Sequence, residues 1–418
     1  MISRIRGTRD IIDAKLFKYA INTIASSLKL HNYQEIITPI IEPLELFCRS
    51  LGTQTDVVSK EMFIVSSSSA QQDETRDAIC LRPEMTASIA RAFVEEGVQL
   101  VPWKVFSFGS CFRYERPQKG RYREFYQCSI EAIGVASVMQ DVQMIAQLDV
   151  LFKEQFKLKD YVVHINFLGV QEERAAFKEL LLVFLNEHES LLCETCKKRK
   201  STNILRVFDC KNETCKTIYH NAPELVNSLG EVSQKEWQQI QKNLTALSVN
   251  FVYNPRLVRG LDYYNKTVFE FVSPHLGAQS TFCGGGRYDK LIAEISGKND
   301  QPSVGAAIGL DRLVMLLEHA GNQGEVDAAP VISVVLPLTE AQHGVALLLA
   351  DSLVRVQKTV EVIFEGSVKS MMRKADKIGA RYCLLIGQQE QESGTVLVKD
   401  MQTGQEQIVK QDDVKNVV

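Results

Sequence analysis

Charged and aromatic side chains are interleaved between residues 112 and 127, where two strand-like segments are joined by a basic turn. In such a hairpin Arg113 could hold a phosphate and Glu115 could accept a hydrogen bond from an adenine amino group. Phe125 could stack against a base. Strand alternation predicts that Arg113 and Glu115 lie on one face. The pattern indicates a nucleotide site, and the alternative is a solvated surface hairpin.

A second arginine follows a run of small residues. The segment from Gly305 to Gly309 leads directly into Asp311 and Arg312. Small residues let a backbone or a ligand approach closely, and Arg312 could reach the tail of a polyphosphate. A glycine-rich strand that enters a helix is common, so this element indicates a polyphosphate site only in combination with the hairpin.

Four of the ten cysteines cluster in the sequence, at Cys193, Cys196, Cys210 and Cys215. The first pair has the spacing of metal ligands, but the second pair encloses four residues rather than the usual two. Two interpretations stay open, a structural zinc ion and four small buried or half-buried thiols. We therefore assign no metal ligand from the sequence.

Composition narrows the class of protein. The chain has 418 residues, 45% hydrophobic and 24% charged, which predicts two or three globular domains. It contains no apolar run of about 18 residues, so we expect no membrane helix. The first residues carry cations without an apolar stretch, which argues against a secretory signal and predicts a cytoplasmic protein with reduced cysteines. The net charge of −3 does not by itself indicate a nucleic-acid partner.

Hydrophobic periodicity predicts the elements that would position these residues. Helices are predicted at 12–31, 83–97, 138–155, 287–296 and 310–318. Strands are predicted at 35–43 with a break at Pro39, and at 79–81, 105–109, 123–134, 162–166, 268–272 and 277–283. A serine-rich loop of unassigned role occupies 66–77.

The chain changes character twice. Residues 170–250 are charged and helical and contain the cysteine cluster, which indicates an insertion. A linker at 319–330 precedes strand–helix alternation that predicts a small α/β domain with a mostly parallel sheet.

The two arginine elements together resemble motifs 2 and 3 of class II aminoacyl-tRNA synthetases, and the Pro39 segment is similar to motif 1, which lies at the dimer interface in that class. The segments from Arg259 to Tyr264 and from Gly284 to Asp289 resemble the two histidine-specific signatures of the histidyl-tRNA synthetase family. Three further segments also fit this family, namely Arg6–Asp10, Thr55–Val58 and Leu81–Thr86. The resemblance covers essentially the whole chain.

The resemblance implies a histidine pocket. Glu84, Thr86 and Gln127 would hold the amino group, while Glu131 and Tyr264 would read the imidazole. Tyr263 and Tyr288 would complete the pocket. Met85 is also placed in this loop, although the bacterial pattern usually has glycine there. Arg113 and Arg259 are also assigned to histidine binding, and Arg259 would lie beside the substrate carboxylate.

The resemblance also implies ATP as cosubstrate, with Mg²⁺ carried on the triphosphate. Arg113 would hold the α-phosphate, Glu115 the adenine amine, Phe125 the ring and Arg312 the γ-phosphate, with Arg121 near the phosphates. Arg259 would replace a metal that most class II relatives place near the α-phosphate. Arg113 and Arg259 are therefore the predicted catalytic residues.

The implied fold is an α+β catalytic core over 1–324, with an antiparallel sheet flanked by helices and an insertion at about 170–250. An α/β anticodon-binding domain would follow at 325–418. The implied partners are tRNA(His), L-histidine and a second copy of the chain. Basic surfaces for tRNA are predicted at three places, namely Lys119 in the hairpin, residues 197–200, and a helix face with Lys369, Arg373 and Lys377.

One alternative function remains at this stage, a noncatalytic paralogue that regulates histidine biosynthesis. Such paralogues usually lack the C-terminal domain and parts of the signatures, both of which are present here.

Overall fold

The computed structural model describes residues 2–52, 55–66, 78–321 and 331–418. The chain separates into two compact units, Met1–Gly324 and Glu325–Val418. Most of the predicted serine-rich loop and most of the predicted linker lie outside the described residues.

The larger unit is built on an eight-stranded sheet with the order β1-β5-β6-β11-β10-β9-β7-β8. Its described strands, together with the three-stranded sheet β2-β4-β3, are β1 Gln34–Glu35, β2 Ile41–Pro43, β3 Phe63–Val65, β4 Ile79–Leu81, β5 Trp103–Phe112, β6 Glu124–Ile133, β7 Val162–Phe167, β8 Phe251–Tyr253, β9 Asn265–Val272, β10 Thr281–Arg287 and β11 Ser303–Gly309. The six central strands are antiparallel, and β1 and β8 join the edges in parallel. The predicted antiparallel core is confirmed, with parallel pairing only at its edges.

Helices cover this sheet with apolar faces. The described helices of the larger unit are α1 Lys15–Leu30, α2 Leu44–Leu51, α3 Thr86–Glu95, α4 Met139–Val150, α5 Gln171–Glu187, α6 Glu194–Thr202, α7 Glu213–His220, α8 Glu231–Ala246, α9 Leu291–Ser296 and α10 Leu310–His319. In α1, Phe17, Ile24 and Leu28 recur at helical spacing and are buried. This periodicity predicted the helix to within a few residues.

Pro39 separates β1 from β2, as the sequence indicated, because proline cannot donate to a strand ladder. The gap is held by the buried Arg82, whose Nη1 donates to the Thr38 carbonyl at 2.9 Å and whose Nε donates to the Ser110 carbonyl at 2.9 Å. Arg82 therefore joins the segment around Pro39 to the end of β5.

The three consecutive glycines lie inside a strand rather than after one. Gly284–Gly286 belong to β10, and a Cβ on Gly286 would lie 2.5 Å from the Thr267 carbonyl. The prediction of a strand ending at residue 283 and a helix from 287 was wrong, since glycine has little intrinsic strand preference and only close packing explains it here. The helix α9 begins at Leu291.

The smaller unit is an α/β domain, as predicted, but its sheet is half parallel and half antiparallel rather than mostly parallel. Its sheet has the order β13-β12-β14-β15-β16, parallel among the first three strands and antiparallel thereafter. Its described elements are β12 Ile332–Pro337, α11 His343–Arg355, β13 Thr359–Val362, α12 Val368–Lys377, β14 Tyr382–Ile386, α13 Gln388–Ser393, β15 Thr395–Asp400 and β16 Glu406–Lys410. The short helix α13 was not predicted. In the described parts of both units, no helix combines the length and the apolar character needed to cross a bilayer.

Candidate active site

A cavity of about 640 Å³ opens over the middle of the large sheet. It is lined by side chains from β6, β9 and β10, from the β5–β6 hairpin and from the first turns of α3 and α10. Most residues predicted for the site line it, namely Glu84, Thr86, Arg113, Glu115, Arg121, Phe125, Gln127, Arg259, Tyr263, Tyr264 and Arg312. Met85, Glu131 and Tyr288 do not line it; they are buried behind its wall.

Arg312 brings a positive charge to this cavity, and within the described residues its hydrogen bonds go to neutral acceptors. It donates from Nε to the Gly120 carbonyl at 2.9 Å and from Nη2 to Gln279 Oε1 at 3.1 Å. Burial, together with the charges of Arg113 and Arg121, lowers the pKa of Arg312 to about 10. An anion with several negative charges would relieve this repulsion.

The hairpin positions the other cationic groups. Arg113 donates from Nε to the Pro83 carbonyl at 2.9 Å, and its guanidinium carbon lies 5.3 Å from the centre of the Phe125 ring. Arg121 forms an ion pair with Glu115. The predicted strand alternation of Arg113 and Glu115 was wrong, because β5 ends at Phe112 and the Glu115 amide donates to the Arg113 carbonyl in a tight turn.

Asp311 fixes the hairpin to α10. Its Oδ2 accepts from the Tyr126 amide at 2.7 Å, and its Oδ1 accepts from Arg9 Nη2 at 2.5 Å. The chain near Arg9 also reaches the hairpin, since the Arg123 amide donates to the Gly7 carbonyl at 2.8 Å. The N-terminal segment thus holds the hairpin at the cavity.

Glu84 caps the helix that closes one side of the cavity. Its carboxylate accepts from the Thr86 amide at 2.6 Å and from the Ala87 amide at 2.8 Å, at the start of α3. Burial raises the pKa of Glu84 above its usual value, although the two backbone donors oppose this rise. The carboxylate keeps further lone pairs for a cation in the cavity.

Glu131 forms a buried network behind the cavity wall. Its Oε1 accepts from the Thr86 hydroxyl at 2.7 Å, and its Oε2 accepts from the Tyr288 hydroxyl. Burial raises the pKa of Glu131 to about 8, in spite of these two donors. The backbone of β11 passes so close that a Cβ on Gly305 would overlap the carboxylate.

Three tyrosines pack around this network. The Tyr263 ring centre lies 4.5 Å from that of Tyr264 and 5.7 Å from that of Tyr288. Beside Tyr288, the fully buried Arg287 donates from Nη1 to the Val135 carbonyl at 2.7 Å and is paired with Asp141. Arg287 therefore holds the end of β10 in place, so this residue of the signature segment from Gly284 to Asp289 has a structural role.

Arg259 is paired with Glu270 on β9, a residue that the sequence analysis did not single out. The other Glu270 oxygen accepts from the Thr281 hydroxyl at 2.9 Å. Burial disfavours the charge on Arg259, but Glu270 outweighs it and the pKa of Arg259 is raised above its usual value. The Arg259 Nε is buried and lacks a hydrogen-bond partner among the described residues. An acid within a strand has no local sequence signal that would reveal this pairing.

The helical insertion contributes the outer wall. Arg199, Arg206, Asp209 and Lys211 also line the cavity. Arg206 lies 3.4 Å from Asp56, measured from Nη2 to Oδ2. Sequence reasoning missed these four side chains as cavity residues, because they belong to a segment whose placement depends on tertiary packing.

The large antiparallel sheet, the arginine-bearing hairpin and the arginine at the start of α10 define the fold of a class II aminoacyl-tRNA synthetase. A family model described as Histidyl-tRNA synthetase matches residues 10–313, and one described as Anticodon binding domain matches residues 333–418. The chain belongs to the histidyl-tRNA synthetase family.

Relatives and solved structures agree with this membership. The chain is 40% identical over 415 residues to the histidine–tRNA ligase of Aquifex aeolicus, with 98% of each chain covered. It is 41% identical over 419 residues to that of Neisseria meningitidis serogroup A, covering 97% of this chain and 95% of the relative. The apo histidyl-tRNA synthetase of S. aureus superposes with a TM-score of 0.80 at 28% identity, covering 100% and 99% of the two chains.

Proposed function

We propose that this chain is a histidine–tRNA ligase that activates L-histidine with ATP and transfers it to the 3′ end of tRNA(His). The observation that carries the proposal is the convergence of the predicted phosphate-binding and amino-acid-binding side chains on one cavity. Identity of about 40% to histidine–tRNA ligases over nearly the whole chain supports the same activity.

ATP would bind beneath the hairpin. Arg113, Arg121 and Arg312 would hold the phosphates, and the excess positive charge around Arg312 supports this assignment. Phe125 would stack against the adenine, and Glu115 would accept from its amino group. ATP would enter as its magnesium complex. Because Glu115 and Glu270 are both paired with arginines, the phosphate oxygens of ATP would supply most of the ligands of the magnesium ion.

Histidine would occupy the part of the cavity nearest α3. Glu84, Thr86 and Gln127 would hold its ammonium group, and Tyr264 would contact the imidazole. Glu131 lies behind the cavity wall and accepts from the Thr86 and Tyr288 hydroxyls, so it would read the ring together with Tyr264 once one of these donors gives way to an imidazole N–H. A competitor that lacks the ring nitrogens would leave buried polar groups unpaired, which gives discrimination of about 10⁴-fold.

In the first step the histidine carboxylate attacks the α-phosphorus. The bond between the α-phosphorus and the oxygen that bridges to the β-phosphate breaks, and pyrophosphate leaves. Arg259 would stabilise the charge that grows on the α-phosphate oxygens, with Glu270 and Thr281 holding its guanidinium in place. In the second step the terminal ribose hydroxyl of the tRNA attacks the carbonyl of the adenylate, the bond between that carbonyl carbon and the phosphate oxygen breaks, and AMP and the hydroxyl proton leave.

The tRNA would contact Lys119, the basic residues 197–200, and the exposed face of α12 with Lys369, Arg373 and Lys377. We further propose a homodimer formed through the segment around Pro39, by analogy with the class. The reaction requires tRNA, which supports a place in the cytoplasm.

A solved protein from Bacillus halodurans, described as an ATP phosphoribosyltransferase regulatory subunit/histidyl-tRNA synthetase, shares the fold with a TM-score of 0.62 at 20% identity. The regulatory alternative is disfavoured because the C-terminal unit and both signature segments are present. Histidine-dependent exchange of labelled pyrophosphate into ATP tests the assignment. We expect exchange with histidine and with no other amino acid; no exchange with any amino acid would favour the regulatory function.

A further inference from the structure

The four clustered cysteines of the insertion converge in space. Cys193, Cys196, Cys210 and Cys215 bring their sulfur atoms within 4.8 Å of one another, and all four are free thiols. The sulfurs of Cys193 and Cys210 are 3.7 Å apart. A tetrahedral zinc ion with Zn–S bonds of about 2.3 Å separates its sulfur ligands by about 3.8 Å. The cluster therefore has almost the dimensions of a tetrathiolate site.

The surrounding backbone is arranged to support negative sulfur atoms. The Cys193 amide donates to the sulfur of Cys215 at 3.4 Å, and the Asn212 amide donates to the sulfur of Cys210 at 3.4 Å. Three of the four cysteines are buried and Cys193 is half-buried. Four thiols that served only as small apolar side chains would have no need of a common centre or of amide donors directed at them.

From this geometry we propose that Cys193, Cys196, Cys210 and Cys215 bind one structural zinc ion. The thiols lose four protons on binding, so the loaded site carries a net charge of −2. The cationic run 197–200 follows Cys196 directly, and Lys211 follows Cys210, so positive side chains stand next to the site in the sequence. They would offset part of this charge, since Lys197 and Lys200 are already ion-paired with Glu194 and Glu189.

The site would brace the outer wall of the active-site cavity. The segment between the two cysteine pairs includes the helical turn Ile204–Asp209, and its Arg206 and Asp209 line the cavity. Arg199 Nη1 donates to the Arg206 carbonyl at 3.0 Å, which links this turn to α6. Zinc would join the two ends of this segment, and removal of the ion would loosen the wall.

The test measures metal in the full-length chain, purified without chelators. We expect about one zinc per chain, and little or none in Cys210→Ser. Cys48→Ser is the matched control, since Cys48 is a half-buried free thiol of the same unit outside the cluster, and it should keep its zinc. An unchanged zinc content in Cys210→Ser, or stoichiometric iron in place of zinc, would overturn the proposal.

A measurement on the unmutated chain covers the case in which Cys210→Ser fails to fold. A mercurial reagent should release one equivalent of zinc as the four thiols react, and cobalt reloaded into the stripped chain should show the absorption of a tetrahedral thiolate complex. Amide hydrogen exchange should rise in residues 193–215 on stripping and fall again when zinc is restored. Unmutated chain without bound metal, or exchange that does not respond to zinc, would refute the site.

Discussion

Arg259 and Arg312 obtain their positions in the cavity in different ways. Arg312 is held by neutral acceptors and keeps its charge available, whereas Arg259 is held by the carboxylate of Glu270. An arginine that acts on a developing charge must be fixed in advance, because reorganisation during the reaction would cost rate. Glu270 is thus a positioning residue for Arg259 in the proposed mechanism.

Replacement of Arg259 tests whether this arginine acts on the transition state of adenylate formation. Arg259→Ala should slow adenylate formation by about 10²–10³-fold while histidine and ATP binding change little, because the lost interaction belongs to the transition state. Arg259→Lys should restore only part of the rate of adenylate formation, since lysine offers a point charge in place of a planar guanidinium. Single-turnover kinetics separate adenylation from transfer. Glu270→Gln, which keeps a hydrogen-bond acceptor, should have the smaller effect; a defect confined to transfer would contradict the role of Arg259.

Glu131 should make stability depend on pH. Its pKa rises from 4.5 to about 8 on folding, so the folded chain binds the proton more tightly than the unfolded chain. The resulting stabilisation is present at low pH and is lost as the pH rises through this interval, by up to about 1.4 kcal/mol per pH unit.

Chemical denaturation of the unmutated chain and of Glu131→Gln across this pH range measures the effect. The difference in unfolding free energy between them should decline towards pH 8 and then level off. A difference that does not vary with pH would mean that Glu131 is ionised throughout.

Residue types and spacing alone predicted Arg113, Glu115, Phe125 and Arg312, and the resemblance to the family supplied seven further side chains that line the cavity. Arg113, Arg312 and Tyr264 stand in recognisable local patterns, and the structure brings them together. Glu270 lacked such a pattern, because a single acid in a strand gains its partner only from the neighbouring strands. The cysteine cluster was ambiguous for the opposite reason, since its spacing was visible but the approach of its two halves was not.

At the level of elements, apolar periodicity predicted the long helices α1 and α10 well, because packing on the sheet follows that periodicity. The prediction failed at β10, where three glycines look like a loop. Their lack of side chains is what allows neighbouring backbones and Arg259 to approach: a Cβ on Gly284 would lie 2.5 Å from Arg259 Nη1. Close approach is a tertiary property that local preference does not contain.

Strand β11 offers a matched pair of glycine substitutions. Gly305→Ala would force a methyl group into the Glu131 carboxylate, whereas the nearest atom to a Cβ on Gly309 is the Phe282 carbonyl oxygen at 3.6 Å. Gly305→Ala should destabilise the chain by about 1–3 kcal/mol and raise KM for histidine. Gly309→Ala should remain close to the unmutated chain in stability. Thermal unfolding and pyrophosphate exchange measure both; equal effects of the two substitutions would contradict this role of β11.

At the level of the whole molecule, we expect the larger unit to form the adenylate and the smaller unit to contribute to tRNA recognition. Lys369, Arg373 and Lys377 are exposed along α12 and form the most regular cationic face that the sequence indicated. Three phosphate contacts would be salt-sensitive, because binding releases counterions.

Changing all three residues to glutamate should raise KM for tRNA and leave histidine-dependent pyrophosphate exchange unaltered. The slope of log affinity against log salt should become shallower by about two. The control changes Lys358, Lys410 and Lys415, three exposed lysines of the same unit, to glutamate. If the control weakened tRNA binding equally, overall charge rather than the α12 face would be responsible.

The Glu131 network limits how the pocket can evolve. Glu131 comes from β6, Thr86 from α3 and Tyr288 from the end of β10, so three distant parts of the chain share one buried set of hydrogen bonds. Substituting one of these residues leaves the others without a hydrogen-bond partner, so the effects of substitutions depend strongly on one another. Under the proposed role of Glu131 in reading the substrate ring, a lineage that drifts towards another amino acid would pass through poorly active intermediates, and the choice of substrate would be protected against stepwise change.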